Sequence, residues 1–171
     1  MIAIRPAVDN DLADILRIYN QAIEKTTAVF EYQPHTLDMR RDWFRVKQAA
    51  SLPVLAAVES GVVAGFASYG PFRPWPAYKY TVELSVYVDE PERGHGIGTT
   101  LVRALLTQAR SRGLHVVMAG ITADNIVSLR LHEKLGFVEV AHIREVGYKF
   151  GRWLDLKLLQ LVLDGPLQPS H

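Results

Sequence analysis

Cysteine is missing from all 171 residues. That excludes disulfides, thiolate nucleophiles and cysteine metal sites, and it makes a cytoplasmic setting the simplest expectation. Charge of one sign is missing too: 19 Lys and Arg stand against 18 Asp and Glu, a formal net charge of +1. No global field singles out nucleic acid or an anionic membrane as partner, and neither is expected. No apolar run approaches the roughly 20 residues that span a bilayer. The opening MIAIRPAVDNDL turns polar before an apolar signal core can form. The histidines show no H-x-x-x-H or comparable ligand spacing, so no metal is expected. No G-x-S-x-G elbow occurs, which with the missing cysteine disfavours an acyl-enzyme.

What is present suits one soluble domain with a sizeable core, because 49% of the residues are hydrophobic and 22% charged. Ile2, Ile4 and Ala7 read as a short strand, and Asp9-Asn10-Asp11 offer N-caps for a helix carrying Leu12, Ile15, Leu16, Tyr19 and Ile23. Thr36 can cap a second helix. Two apolar stretches flank Glu59-Ser60-Gly61, the signature of a hairpin. The tract YGPFRPWPAYKY holds three prolines and is expected to be a rigid loop. A strand over Thr81–Val88, a helix after RGHGIG, the buried strand LHVVMAGI and a helix opened by Asp124-Asn125 follow. Strands around 138–142 and 153–162 close the order βααβββαβαββ. The fold class is therefore α/β, a mixed sheet with helices on both faces. Residues 1–165 are expected to form this single domain and 166–171 a loose tail.

The densest chemical signal is Arg93-Gly94-His95-Gly96-Ile97-Gly98, which joins a buried strand to a helix. Free N–H groups and the positive end of the helix dipole favour an anion there, and glycines let the backbone approach it. A Rossmann fingerprint fails in both registers, since Thr99 and Leu101 stand where its third glycine belongs. A P-loop fails because the turn has no lysine. R-x-x-G-x-G between strand and helix remains, a pyrophosphate cradle with Arg93 at its rim.

VELSVYVDEPERGHGIGTTLVRALL resembles the acyl-CoA-binding motif of the GNAT acetyltransferases, and DNIVSLRLHEKLGF resembles their following asparagine-bearing helix. The resemblance implies a mostly antiparallel sheet splayed after the fourth strand and acetyl-CoA as co-substrate. The pantetheine arm would pair with the backbone of Val86, Tyr87 and Val88. The pyrophosphate would rest on the N–H groups of Gly94, His95, Gly96, Ile97, Gly98 and Thr99. Asn125 would touch the cofactor near its pantetheine. Lys134 would reach its phosphates, although it reads equally well as a solvated helix charge.

IYNQAIEKTTAVFE, SYGPFRPWPAYKYTVE and GYKFGRWLD are similar to the phosphinothricin and methionine sulfoximine N-acetyltransferases. That resemblance implies a small amino acid analogue as acceptor and a homodimer. A two-fold partner would bring the Phe30-Glu31 loop or the Lys149-Phe150 turn near the neighbouring pocket. Substrate contacts are expected from Phe30, Arg73, Pro74, Trp75, Glu83, Leu84 and Ser85. The residues agree in part: before Glu83 the loop holds Arg73 and Lys79 and no acid, which suits an anionic group rather than a polyamine.

Glu83, one alternation step from Ser85, is the candidate general base. His132 stands where many GNAT enzymes carry a tyrosine acid, and histidine is seen there in the phosphinothricin-type subgroup; acid, relay and simple packing stay open for it. Leu84 occupies a position where this subgroup often has histidine, and a bulge implied by the resemblance would turn it into the pocket. Direct attack by the acceptor amine in a ternary complex is the expected chemistry. An acetyltransferase for another amine, such as a protein N-terminus, and a non-catalytic acyl-CoA-binding module are the alternatives.

Overall fold

The computed structural model describes residues 2–164, so the expected tail at 166–171 lies outside the described residues. β1 (Ala3–Pro6) leads to α1 (Leu12–Lys25) and α2 (Leu37–Ala49). β2 (Val54–Glu59), β3 (Val62–Pro71) and β4 (Thr81–Val88) follow, then α3 (Ile97–Ser111), β5 (Val116–Thr122) and α4 (Ile126–Lys134). β6 (Val138–Lys149) and β7 (Arg152–Val162) close the order, which is the one expected. The strands form one sheet, β1-β2-β3-β4-β5-β7-β6, in which β4–β5 is the parallel pair and every other neighbour is antiparallel. Among the described residues no helix is long and apolar enough to cross a membrane.

Strand alternation divides the core in two. Leu55, Ala57, Ala67, Val82 and Leu84 face a cluster with Leu101, Leu105 and Leu129 of α3 and α4. Ala56 and Phe66 face the other way, toward Ile15, Ile18 and Phe44 of α1 and α2, and Tyr87 packs against that second cluster. Burying one face of each helix stabilises both layers at roughly 25 cal/mol per Å2 of apolar surface.

Four local expectations change. Asp9–Asp11 form a 3-10 turn, and the Asp11 carboxylate is taken by Arg5, at 2.6 and 2.9 Å, and by the Val8 N–H, at 2.8 Å, rather than capping α1. The proline-rich tract is not all loop: β3 runs on to Pro71, opposite Val82, and Pro76–Tyr78 make a 3-10 turn. Beyond Ser68 β3 has no β2 partner, so at this open strand end the missing proline N–H costs no ladder bond. β6 extends to Lys149 through a register shift between Ile143 and Gly147, with Glu145 at φ 53°. That break conceals the alternation, so the sequence reads as a much shorter strand. Finally, β4 keeps unbroken register with β3 from Val82 to Val88, with no bulge. Leu84 therefore stays in the α3–α4 core, 6% exposed, on the face opposite Glu83.

Gly65 sets how closely these layers meet. A Cβ there would lie 2.9 Å from the Tyr87 carbonyl oxygen and 3.3 Å from both Ile97 Cγ2 and Leu101 Cδ1. Backbone cannot yield as a side chain does. Gly65→Ala is expected to cost about 1–3 kcal/mol of stability, read as a lower urea midpoint. An unchanged midpoint would show that β4 and α3 have slack at this contact.

Candidate active site

β4 and β5 pair from Thr81–Leu84 against Val116–Ala119 and then part. The opening holds a cleft of about 70 Å3, lined among others by Ser85, Val86 and Tyr87 of β4, Thr122 at the end of β5, and Asn125 and His132 of α4. Beyond Leu84 the β5 side of β4 has no strand partner, which leaves backbone polar groups for a ligand. Asn125 caps α4 by accepting from the Ser128 N–H at 3.2 Å, and this fixes its side chain at the cleft.

The end of β4 delivers the chain to the glycine turn. Gly94 and Gly96 adopt φ 85° and 80°, a conformation that costs other residues about 1–2 kcal/mol, and a Cβ on either would meet nothing. Gly98 serves a different end, since its Cβ would press Leu131 Cδ1 at 3.0 Å. It brings α3 and α4 together. Among the described hydrogen bonds, none is donated by the backbone N–H groups of residues 94–99. Arg93 donates from Nε to the Val88 carbonyl at 3.2 Å, which anchors an exposed guanidinium at the rim. Lys134 is exposed in the last turn of α4 and lines neither this cleft nor a second cavity, which lies on the α1–α2 side of β4 between Tyr19, Arg40, Trp43 and Tyr87.

Glu83 and His132 stand on opposite faces of the sheet; His132 lines the cleft, and Glu83 lines neither it nor the cavity on the α1–α2 side of β4. Burial raises the Glu83 carboxyl above its ordinary value, and the Arg73 charge partly offsets this. Its Oε1 rests over Gly120, where a Cβ would come within 3.0 Å. Gly120 was missed from sequence; a glycine inside the bulky run VVMAGIT is the signal that marks such a close approach. His132 is 1% exposed. Its Nδ1–H donates to the Ser128 carbonyl at 2.8 Å, and burial lowers its pKa. The ring is thus neutral at neutral pH, and Nε2 is an acceptor buried with no partner among the described residues. This arrangement fits a hydrogen-bond donor in the cleft.

The other expected contacts divide. Ser85 lines both the cleft and the neighbouring cavity. Arg73 is exposed, stacks 4.2 Å from the Phe72 ring and donates to the Phe72 carbonyl at 2.9 Å. Pro74 and Trp75 are exposed, Trp75 at 69%, and line neither space. Phe30 packs on Gly147, where a Cβ would come within 2.4 Å of its ring.

The geometry joins a parted parallel pair, an anion-ready turn and a carboxylate of raised pKa. Residues 12–137 match the family model described as acetyltransferase (GNAT) family. The chain belongs to the GNAT acetyltransferases. A methionine sulfoximine/methionine sulfone acetyltransferase of Salmonella typhimurium is 44% identical over 99% of this chain and 99% of its own. A phosphinothricin N-acetyltransferase of Streptomyces coelicolor is 37% identical over 91% of this chain and 92% of its own. The solved yncA acetyltransferase of Salmonella typhimurium, a structure with acetyl-CoA, superposes with a TM-score of 0.96 at 43% identity, covering 99% of this chain and 98% of that one.

In this acetyltransferase a buried lysine holds the segment after α1 against the site. Lys149 is 4% exposed, and its ammonium donates to the carbonyls of Ile23 at 2.5 Å, Thr26 at 2.9 Å and Val29 at 2.8 Å. Thr27 meets Thr122, at the cleft, at 3.0 Å. Lys149→Met would leave three carbonyls unpaired. It is expected to lower stability by about 1–3 kcal/mol and to speed amide exchange across residues 26–31. Exchange equal to wild type would mean that the ammonium does not restrain this segment.

Proposed function

We propose that this enzyme transfers an acetyl group from acetyl-CoA to the amine of a small amino acid analogue of the methionine sulfoximine, methionine sulfone or phosphinothricin type. The observation that carries the reading is Glu83, a carboxylate raised above its ordinary value by burial, on β4 one residue before β4 and β5 part. The names of the relatives point to the same acceptors.

Acetyl-CoA supplies an activated acyl carbon. The free N–H groups of residues 94–99 and the Arg93 guanidinium suit its pyrophosphate, and the unpartnered edge at Val86, Tyr87 and Val88 suits its pantetheine arm. Asn125 borders that arm, and Lys134 adds a distant phosphate contact. Glu83 accepts the acceptor's ammonium proton, so the freed amine attacks directly in a ternary complex. As the C–S bond breaks the nitrogen gives up its second proton and the leaving sulfur takes it up, while His132 takes part as a neutral hydrogen-bond acceptor at the cleft. Arg73, close enough to act on the Glu83 charge, holds the acceptor's carboxylate beside its amine, with Pro74, Trp75 and Phe30 closing over it. Leu84 contributes to the cleft wall without reaching the acceptor's side of β4.

A homodimer completes the reading. Val138, Val140, Val146, Tyr148, Phe150 and Trp153 on the β6–β7 hairpin are each 49–64% exposed, an apolar surface that suits a second copy. Sedimentation is expected to give a dimer at micromolar concentration, and a strict monomer rejects it.

Steady-state kinetics with methionine sulfone separates the two polar roles. Glu83→Gln is expected to lower kcat by about 100-fold or more with little change in acetyl-CoA affinity. Arg73→Ala is expected to raise KM by about ten- to hundred-fold. Because Glu83 acts as carboxylate, kcat/KM should be full above its pKa and fall as pH drops through it, with that limb lying above pH 4.5 and absent in Glu83→Gln. Wild-type turnover in Glu83→Gln removes Glu83 as the base.

A further inference from the structure

On the α1–α2 side of β4 lies a larger cavity, about 210 Å3, lined by Tyr19, His35, Arg40, Trp43, Ser85 and Tyr87 among others. At roughly 30 Å3 per water it holds about seven waters, or a short polar side chain. Ser85 and Tyr87 also line the cleft, so the two spaces meet across β4. Of the acceptor contacts expected from sequence, Ser85 alone lines this cavity.

Arg40 is its unusual member. The residue is 2% exposed, yet no ion pair to it forms among the described residues, and its Nε is buried with no hydrogen-bond partner. Its guanidinium lies 3.9 Å from the Tyr19 ring centroid and 4.6 Å from that of Trp43. One Nη donates to His35 Nδ1 at 3.2 Å, which is the neutral tautomer's acceptor, and burial keeps His35 in that neutral form. The His35 backbone is clamped in turn by Asn20, which accepts from its N–H at 2.8 Å and donates to its carbonyl at 2.9 Å. Aromatic faces offset part of the cost of burying a guanidinium, and His35 and the Tyr19 side chain engage some of its donors, but Nε is left without a partner among the described residues. An arginine stays charged at neutral pH, and an unpaired buried charge is strongly unfavourable. A preorganised cation with an idle donor, beside an enclosed space, is built to receive an oxyanion or a strongly accepting oxygen.

We infer that the Arg40 cavity is a specificity subsite that reads the far end of the acceptor's side chain, selecting a terminus that carries acceptor oxygens, such as a sulfone, phosphinate or carboxylate. This rests on the amino acid reading above. Arg73 and Glu83 attend to the carboxylate and amine at one end, and Arg40 reaches the other end from the opposite stretch of β4. Trp43 and Tyr87 enclose the methylenes between. An acceptor with a plain hydrocarbon terminus leaves the Arg40 donor unpaired and is rejected for that reason.

Two measurements test it. In the first, the Arg40 Nε–H resonance of the wild-type protein, identified by its absence from the Arg40→Lys spectrum, is followed while L-methionine sulfone or L-norleucine is added. The sulfone is expected to shift it and norleucine to leave it in place. In the second, the kcat/KM ratio of sulfone to norleucine is expected to fall about ten- to hundred-fold in Arg40→Met and by less in Arg40→Lys, which keeps charge without the fork. A resonance unmoved at saturating sulfone, or a ratio retained in folded Arg40→Met, overturns the subsite. Should wild type acetylate the sulfone while the resonance stays still, the subsite fails and the amino acid reading stands. Should the resonance shift while neither amino acid is acetylated, the subsite stands and that reading fails.

Discussion

The parting of β4 from β5 is the constraint on which the site depends. Each strand is held to its outer neighbour along its length: β4 to β3 as far as Val88, and β5 to β7 as far as Thr122. The inner pairing stops at Leu84 and Ala119. Sheet twist accumulates between strands, and a parallel pair has no hairpin to keep its far ends together. The result is a gap whose walls are fixed by other contacts. It can present unpaired backbone without collapsing.

Buried polar groups with incomplete partners gather around that gap. Glu83 has a raised pKa because burial outweighs the nearby Arg73 charge. His132 keeps one nitrogen paired and the other idle, and Arg40 has aromatic faces in place of an anion. Satisfied polar groups such as Asp11 with Arg5, or Asp155 with His142 at 2.7 Å, lie elsewhere and serve the fold. The distinction is physical. Groups whose hydrogen bonds are complete rigidify the chain, whereas incomplete ones carry a standing cost that a ligand can relieve.

Glycine acts in three ways within this small space. Gly94 and Gly96 supply left-handed backbone for the turn, Gly65 and Gly98 permit close packing under α3, and Gly120 leaves room for a carboxylate. Lys149 adds a different device, a buried cation that gathers carbonyls from α1 and the segment behind it. In consequence α1, which contributes Tyr19 to the Arg40 cavity, is tied to the β6–β7 hairpin.

The sequence by itself determined the element order, the bounds of β4, the Thr36 cap and the glycine turn at the start of α3. Each depends on periodicity or turn chemistry within a few residues, and the Thr36 hydroxyl does accept from the Met39 N–H at 3.3 Å. The family motifs lie in the same local stretches, so the cleft-facing Asn125 was legible as well. Only the tertiary structure decided that Leu84 belongs to the core, that His132 is buried with Nδ1 paired and Nε2 unpaired, and that β6 continues past its bulge. It alone brought Arg40 under Tyr19 and Trp43 and set Glu83 over Gly120. Those facts depend on which groups from distant segments exclude water around a charge, and no local pattern carries that information.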